Sequence, residues 1–331
     1  MSKEVTQFYT QYGIDPAQRN LEGLQHIAQI CQKVISQDCV YPCDTFSDHV
    51  FDNYLEFIRA YAEDFLPHAS SHLAHIPALH NRSALQYAAL YGYDRYIQQL
   101  QHEPSSVINA QNPYGMSALH LAALQGHLAC CQALCTLGAS VTLENKQQQY
   151  PLYCVLTDPK RTGAASAARQ AEVFRYLWQR DPSTIGHCDR FNQNALHLMA
   201  VYGHFELLEE AMQQDPELVR NRNTHGTAPI HAAIDNQQRL AMQTILTHVP
   251  EVAVLQGHKL RIPLHYAILA GDEEMVTYCC QINHSSEVSN ARDTEGKTPW
   301  MMAYEVSDSH KQGILDILAE YFPDITLGYG R

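Results

Sequence analysis

The sequence predicts an all-α solenoid of about seven repeats preceded by a helical N-terminal segment, and three observations predict it. A phrase, Ser83-Ala-Leu-Gln-Tyr-Ala-Ala-Leu-Tyr-Gly92, returns from Ser117 to Gly126 and again from Asn194 to Gly203. Looser versions open at Tyr150, Ala228, Ile262 and Thr298, so the starts run 83, 117, 150, 194, 228, 262 and 298, in steps of 34, 33, 44, 34, 34 and 36 residues. Each phrase carries apolar residues at helical spacing, and several end in a glycine that stops a helix. The chain ahead of the first phrase lacks it but keeps helical periodicity.

Taken in order, residues 1–77 form the N-terminal segment. Leu21, Leu24, Ile27, Cys31, Val34 and Ile35 make one apolar stripe after Asp15-Pro16, and Val50, Phe51, Tyr54, Leu55, Ile58 and Tyr61 make another after Ser47. Such amphipathic helices need a partner surface, and the exposed face of the first repeat offers one, so the segment reads as a cap. From 78 to 331 the repeats follow. Ser117 and Thr298 are placed to cap free N–H groups, while Pro151, Pro229, Pro263 and Pro299 sit where a first turn needs no donor. Leu119, Ala122 and Ala123 face the neighbouring repeat, Gly92, Gly126, Gly203 and Gly271 end first helices, and a second helix follows, as over Leu128 to Leu137. The long step after Tyr150 places an insertion near 157–168, whose Lys/Arg/Gly/Ala/Ser stretch, Pro159 to Ala168, reads as a protruding loop. Gln147-Gln-Gln149 and Gln237 stand where glycines belong, and the last phrase has Trp300-Met301 in place of Leu-His.

A period near 33 with Thr-Pro-Leu-His-x-Ala at its head resembles the ankyrin family, from roughly Ala78 to Leu318. No single unit of such an array buries its own faces, so stability comes from stacking neighbours. The resemblance implies an ankyrin-repeat solenoid with a concave surface of turn tips and first-helix ends that binds protein partners. Carried over repeat by repeat, the family's variable positions fall on Arg82, Leu90 and Tyr91; on Tyr114, Met116, Leu124 and Gln125; on Arg190, Phe191, Val201 and Tyr202; and on His225, Lys259 and Arg261. One column of these, Leu90, Leu124, Val201, Asp235 and Leu269, is expected to face solvent and is unusually apolar there. With Tyr114 and Phe191 it suggests an apolar stripe over the first four repeats, flanked by Arg82 and Arg190. His258, Lys259 and Arg261 suggest a polar continuation for an acidic segment. The resemblance also explains the histidines. His120, His197, His231 and His265 take the family's structural position, and His127 and His204 follow helix-ending glycines.

Composition narrows the function. A formal net charge of −13 argues against nucleic acid or an anionic membrane as the main partner. No run of eighteen apolar residues and no apolar leader occurs, so the chain is expected to fold in the cytoplasm without membrane insertion. Ten cysteines in that setting read as reduced thiols, with Cys130, Cys131, Cys135, Cys279 and Cys280 on second helices as small buried hydrophobes. Cys39 and Cys43 lack a second pair, and His68, His72, His75 and His80 lie around Pro67 and Pro77 with no carboxylate in register, so no metal and no cofactor are expected. No glycine-rich phosphate loop or nucleophile elbow is present, so the chain is not expected to be an enzyme.

The predicted function is protein binding. A chain rich in Gln, His and Tyr and poor in Lys, with degenerate repeats behind an unrelated helical segment, resembles the ankyrin effectors that Legionella-like and Coxiella-like intracellular bacteria deliver by type IV secretion. That resemblance implies a host protein as partner and the host cytoplasm as destination. A second reading is an endogenous scaffold or enzyme inhibitor. A third is an enzyme using Cys39, Cys43 or His49 of the N-terminal segment.

Overall fold

The computed structural model describes residues 84–98, 100–101, 103–156 and 164–323. The expected N-terminal helices, Cys39, Cys43, His49, the histidines from His68 to His80, and Arg82 lie outside the described residues. So do 157–163 of the expected insertion and the last residues from 324. Among the described residues every regular element is helical, as predicted, and the chain divides into two compact units at Lys146/Gln147.

In unit 1, α1 (Ala84–Tyr91) packs on α4 (Ala118–Gln125), and α2 (Asp94–Gln98) packs on α5 (Leu128–Thr136); the short α3 (Ser105–Ile108) falls between α2 and α4 in the chain. First helices therefore stack in one layer and second helices in another. The inner layer is built from small and branched residues. Leu85, Ala88, Ala89, Leu119, Ala122 and Ala123 are all buried, and the alanines let backbones approach closely. Each buried leucine contributes about 1.5–3 kcal/mol relative to exposure.

Unit 2 repeats the scheme. Its inner helices are α6 (Pro151–Val155), α8 (Ala195–Tyr202), α10 (Pro229–Asp235), α12 (Pro263–Ala270) and α15 (Pro299–Ala303). Its outer helices are α7 (Ala164–Arg180), α9 (Phe205–Gln214), α11 (Arg239–His248), α13 (Glu273–Ile282) and α16 (Asp308–Tyr321), with the short α14 (Ser286–Asn290) ahead of α15. Contacts run α8 to α10 to α12 to α15 in one layer and α9 to α11 to α13 to α16 in the other. The structure corrects the extent of the protruding loop. Residues 164–168 are the first turns of α7, because Ala-Ala-Ser-Ala-Ala is a strong helix former and runs directly into the apolar pattern Val173, Phe174, Leu177, Trp178, all buried.

Caps follow the sequence closely. Ser117, Asn194 and Thr298 accept from the backbone N–H three residues on. Gly126, Gly203 and Gly271 take left-handed φ values of 73°, 76° and 67°. At Gly203 the left-handed φ is what favours glycine, since the atom nearest a Cβ there is the mobile end of the Gln238 side chain. Gln237 adopts φ 55° at the corresponding place in its own repeat, so this turn carries a side chain where the backbone favours none. The cysteines of α5 and α13 are free, Cys135 half-buried and the rest buried. Burial pushes the Cys130 and Cys280 thiols up to about 12, which keeps them protonated and unreactive.

The buried histidines carry the inter-repeat bonds. The N-cap backbone N–H groups of Asn194, Ala228 and Ile262 donate to Nδ1 of His197, His231 and His265 at 3.1–3.3 Å. Nδ1 is therefore the acceptor and Nε2 carries the proton, which it donates to Thr227 O, Leu255 O and Lys297 O at 2.9–3.3 Å. Burial pushes all three rings down to about 4.

Two measurements check this account. Gln237→Gly is expected to stabilise the chain by roughly 0.5–1 kcal/mol by relieving the left-handed turn, raising the urea midpoint; an unchanged or lower midpoint would show that the turn is unstrained. The histidines set an acid dependence. Their folded pKa lies below the unfolded value, so nothing is lost above pH 6.5, and stability falls as pH drops from 6.5 through 4, by about 1–3 kcal/mol per ring. A urea midpoint flat across that window would place the rings in solvent.

Candidate partner-binding surface

Between each outer helix and the next inner helix the chain makes a tight turn, here called a finger. Its geometry comes from one Asn or Asp. Asn112 Oδ1 accepts from the N–H groups of Tyr114 and Met116, both at 2.9 Å. Asp189 does the same for Phe191 and Gln193, Asn223 for His225 and Thr227, and Asp293 for Glu295 and Lys297, at 2.8–3.1 Å. The residue three places on turns left-handed: Gly115, Asn192, Gly226 and Gly296 have φ of 76°, 57°, 75° and 79°. Neighbouring fingers are then joined through backbone: Lys146 N to Tyr114 O at 3.1 Å in unit 1, and in unit 2 Arg190 N to Gln147 O, Thr224 N to Phe191 O and Thr294 N to Lys259 O at 2.8–2.9 Å.

The finger at 257–261 departs from this pattern. Gly257 replaces the Asn/Asp because a Cβ there would come 2.9 Å from the His231 ring and the Tyr266 hydroxyl. Without the side-chain acceptor both Lys259 and Leu260 turn left-handed, at φ 59° and 58°, and Leu260 is left 47% exposed. His258 N and His225 O are not joined by the backbone bond that links the other fingers of this unit.

In unit 1 the predicted residues divide. Tyr114, at the tip, is 66% exposed, and Gln125 is exposed at the end of α4. Met116 is half-buried, its sulfur receiving Asn145 Nδ2 at 3.7 Å, and Leu124 is half-buried. Tyr91 ends α1. Leu90, expected to face solvent, is buried instead: α1 packs along α4, and His127 Nε2 reaches the Leu90 carbonyl at 3.1 Å.

In unit 2 the structure brings Arg190 and Phe191 together, the guanidinium lying 4.9 Å from the ring centroid of a 38% exposed phenylalanine. Val201 and Tyr202 are half-buried at the end of α8, so the apolar column is only partly open, while Asp235 and Leu269 are exposed. His225 is exposed at its tip. The expected polar continuation divides: His258 and Lys259 are exposed, while Arg261 turns inward. Arg261 is half-buried and donates to Asp293 Oδ2 at 3.2 Å, where the carboxylate side chain is fully buried. Burial alone would raise that carboxyl, but the N–H groups of Lys297 and Glu295 and the Arg261 guanidinium outweigh it and hold it below the usual carboxylate range. Lys259 lies 3.6 Å from Glu295. Both cations thus face a carboxylate of this chain, Arg261 half-buried and Lys259 at the surface. The sequence reading missed Arg222, exposed one place before its finger asparagine, and Leu260. The recurring Asn/Asp ahead of the turns at 112, 189, 223 and 293 is the signal that locates Arg222, whereas Gly257 removes that signal from the finger carrying Leu260.

Among the described residues no group of three His, Cys, Asp or Glu could hold a metal ion, and no helix is long and apolar enough to cross a membrane.

Comparison with known proteins bears on the architecture. A family model described as ankyrin repeats in three copies matches residues 53–145. Among curated proteins the chain is 24% identical over 193 residues to a transient receptor potential cation channel subfamily A member 1 homolog of Caenorhabditis elegans, covering 58% of this chain and 14% of that one. It is 26% identical over 174 residues to human inversin, covering 51% of this chain and 15% of the relative. The chain thus spans about one seventh of the length of these relatives. Among solved structures, the ankyrin repeat domain of human ASB11 superposes with a TM-score of 0.58 at 22% identity, over 71% of this chain and 98% of that domain. The ankyrin repeat domain of Bcl-3, a member of the IkappaB protein family, gives 0.57 at 19% identity, over 71% and 97%. Phrase, period, stacked helix pairs and these likenesses agree on one architecture, and the fold of this chain is an ankyrin-repeat solenoid.

Proposed function

We propose that the chain is a non-catalytic protein-binding module that meets its partner with finger tips and inner-helix ends. The observation that carries this reading is the division of labour within each finger. Its backbone is held by an internal Asn or Asp and by a neighbouring finger, while the tip side chains Tyr114, Phe191 and His225 stay exposed. Rigid backbone with exposed aromatic and arginine tips is the composition of protein-binding hot spots, because little entropy is lost when the tips are covered. On its compositional likeness to secreted ankyrin effectors, the partner is a host-cell protein. The segments 1–77 and 78–331 act as cap and binding array.

Affinity capture tests this, with lysate from host cells and from the organism that makes the chain as the two sources. The bait is wild type beside a variant carrying Tyr91→Ala, Tyr114→Ala, Phe191→Ala and Tyr202→Ala, checked by circular dichroism. A host protein held by wild type should bind the variant roughly tenfold more weakly or worse, since a few tip residues carry most of the binding energy. Equal capture by a folded variant would remove the surface assignment, and a partner found only in the producing organism would remove the host reading.

A further inference from the structure

The chain carries 35 acidic and 22 basic side chains, so a cation on its surface has an abundance of internal partners. Unit 2 uses them. Arg175 pairs with Glu210, Arg220 with Glu217 and Glu251, Arg239 with Asp272 and Glu274, Lys259 with Glu295, Arg261 with Asp293, and Lys297 with Glu295 and Glu305. Arg190 and Arg222 are exposed and have no carboxylate within ion-pair distance among the described residues. They stand on adjacent fingers, which are locked together by Thr224 N to Phe191 O at 2.8 Å and by Asn192 Nδ2 to Arg222 O at 2.6 Å. The acid closest in sequence, Asp189, is buried and spends Oδ1 on the finger backbone. The same two fingers expose the Phe191 ring, with the Arg190 guanidinium laid against it, and the His225 side chain.

We propose that the fingers 189–193 and 222–227 form a docking site for an acidic segment of a partner protein, Arg190 and Arg222 pairing with its carboxylates and Phe191 covering an apolar side chain between them. The proposal rests on the protein-binding reading above and adds the chemistry of the partner. Charge complementarity selects the occupant: two uncompensated guanidinium groups fit planar carboxylates, and Arg190 is held against the ring by cation–π attraction. A nucleic acid would present anions too, but along a continuous backbone that calls for a run of cations, whereas these two fingers offer two guanidinium groups and an apolar ring. The acidic reader is therefore displaced from the expected Lys259 and Arg261 toward the middle of the array, because those two cations already serve Glu295 and Asp293.

The test is fluorescence anisotropy with the full chain and three labelled probes: a peptide of about twelve residues alternating Glu with Leu and Phe, the same peptide with Lys for Glu, and a single-stranded oligodeoxynucleotide of similar length. The acidic peptide should bind, and added salt should weaken it. The double variant Arg190→Glu/Arg222→Glu should lose roughly tenfold or more in affinity, Lys259→Glu should change little, and the Lys peptide should not bind. Neither arginine has an ion partner to lose, so the melting temperature should hold; if it falls, Arg190→Gln/Arg222→Gln replaces the reversal. No binding of the acidic peptide, equal binding to the folded double variant, or preference for the oligonucleotide would overturn the proposal. A captured protein that depends on Phe191 but binds the charge-reversed chain normally would overturn it while leaving the protein-binding reading in place.

Discussion

In five of the seven phrases the fourth side chain ties the start of an inner helix to a backbone carbonyl of the next repeat, and the array depends on that bond. In unit 2, His197, His231 and His265 accept at Nδ1 from their own N-cap and donate at Nε2 to Thr227, Leu255 and Lys297. Where histidine is absent the chemistry survives. Gln86 donates to Ala110 O and Met116 O in unit 1, and the Tyr153 hydroxyl donates to His187 O in unit 2. Met301, in the last phrase, has no such donor, and no further finger follows among the described residues. Each bond is worth about 1 kcal/mol net, but leaving a buried carbonyl unpaired costs about 1–3 kcal/mol, so any side chain in this column must be a long donor. Because such repeats contact only their neighbours, these bonds hold one repeat to the next within each unit.

The fingers inherit their rigidity from this arrangement and add their own. One Asn or Asp oxygen satisfies two backbone donors that no helix can reach, which frees the tip side chains from any structural duty. Where the acceptor is lost, at Gly257, the cause is packing: the His231 ring and the Tyr266 hydroxyl occupy the space of a Cβ. The consequence is a finger with two left-handed residues and an exposed leucine. A demand from the inter-repeat bond of one repeat is thus met by strain in the finger of the next.

How much of this is legible in the sequence depends on whether the signal is local. The inner helices, their caps at Ser117, Asn194 and Thr298, their glycine stops and the buried cysteines follow from residues within a few positions of one another. Gln86 and Tyr153 look like departures from the phrase, and only their carbonyl partners, 24 and 34 residues on, show that they are equivalents. Arg261 reads as a free surface cation until Asp293, a full repeat later, is seen to be buried beneath it. Leu90 reads as exposed by register, yet the packing of α1 on α4 encloses it. Residues 164–168 read as loop by composition because small residues serve both loops and helix starts, and the apolar stripe that decides between them begins further on, at Val173.

The charge pattern shows the same logic applied to the surface. An exposed ion pair contributes about 0–1 kcal/mol, so the stability of the array does not require every arginine to be paired. Pairing does decide availability, since a guanidinium already facing a carboxylate must give that contact up before it can meet another. Arg261 would also strand a buried Asp293 charge if it left, a far larger cost than the surface pairs impose. Arg190 and Arg222 can be covered without either loss. In a chain with this excess of acid, recognition of an acidic partner rests as much on keeping its own carboxylates away from two fingers as on placing arginines there.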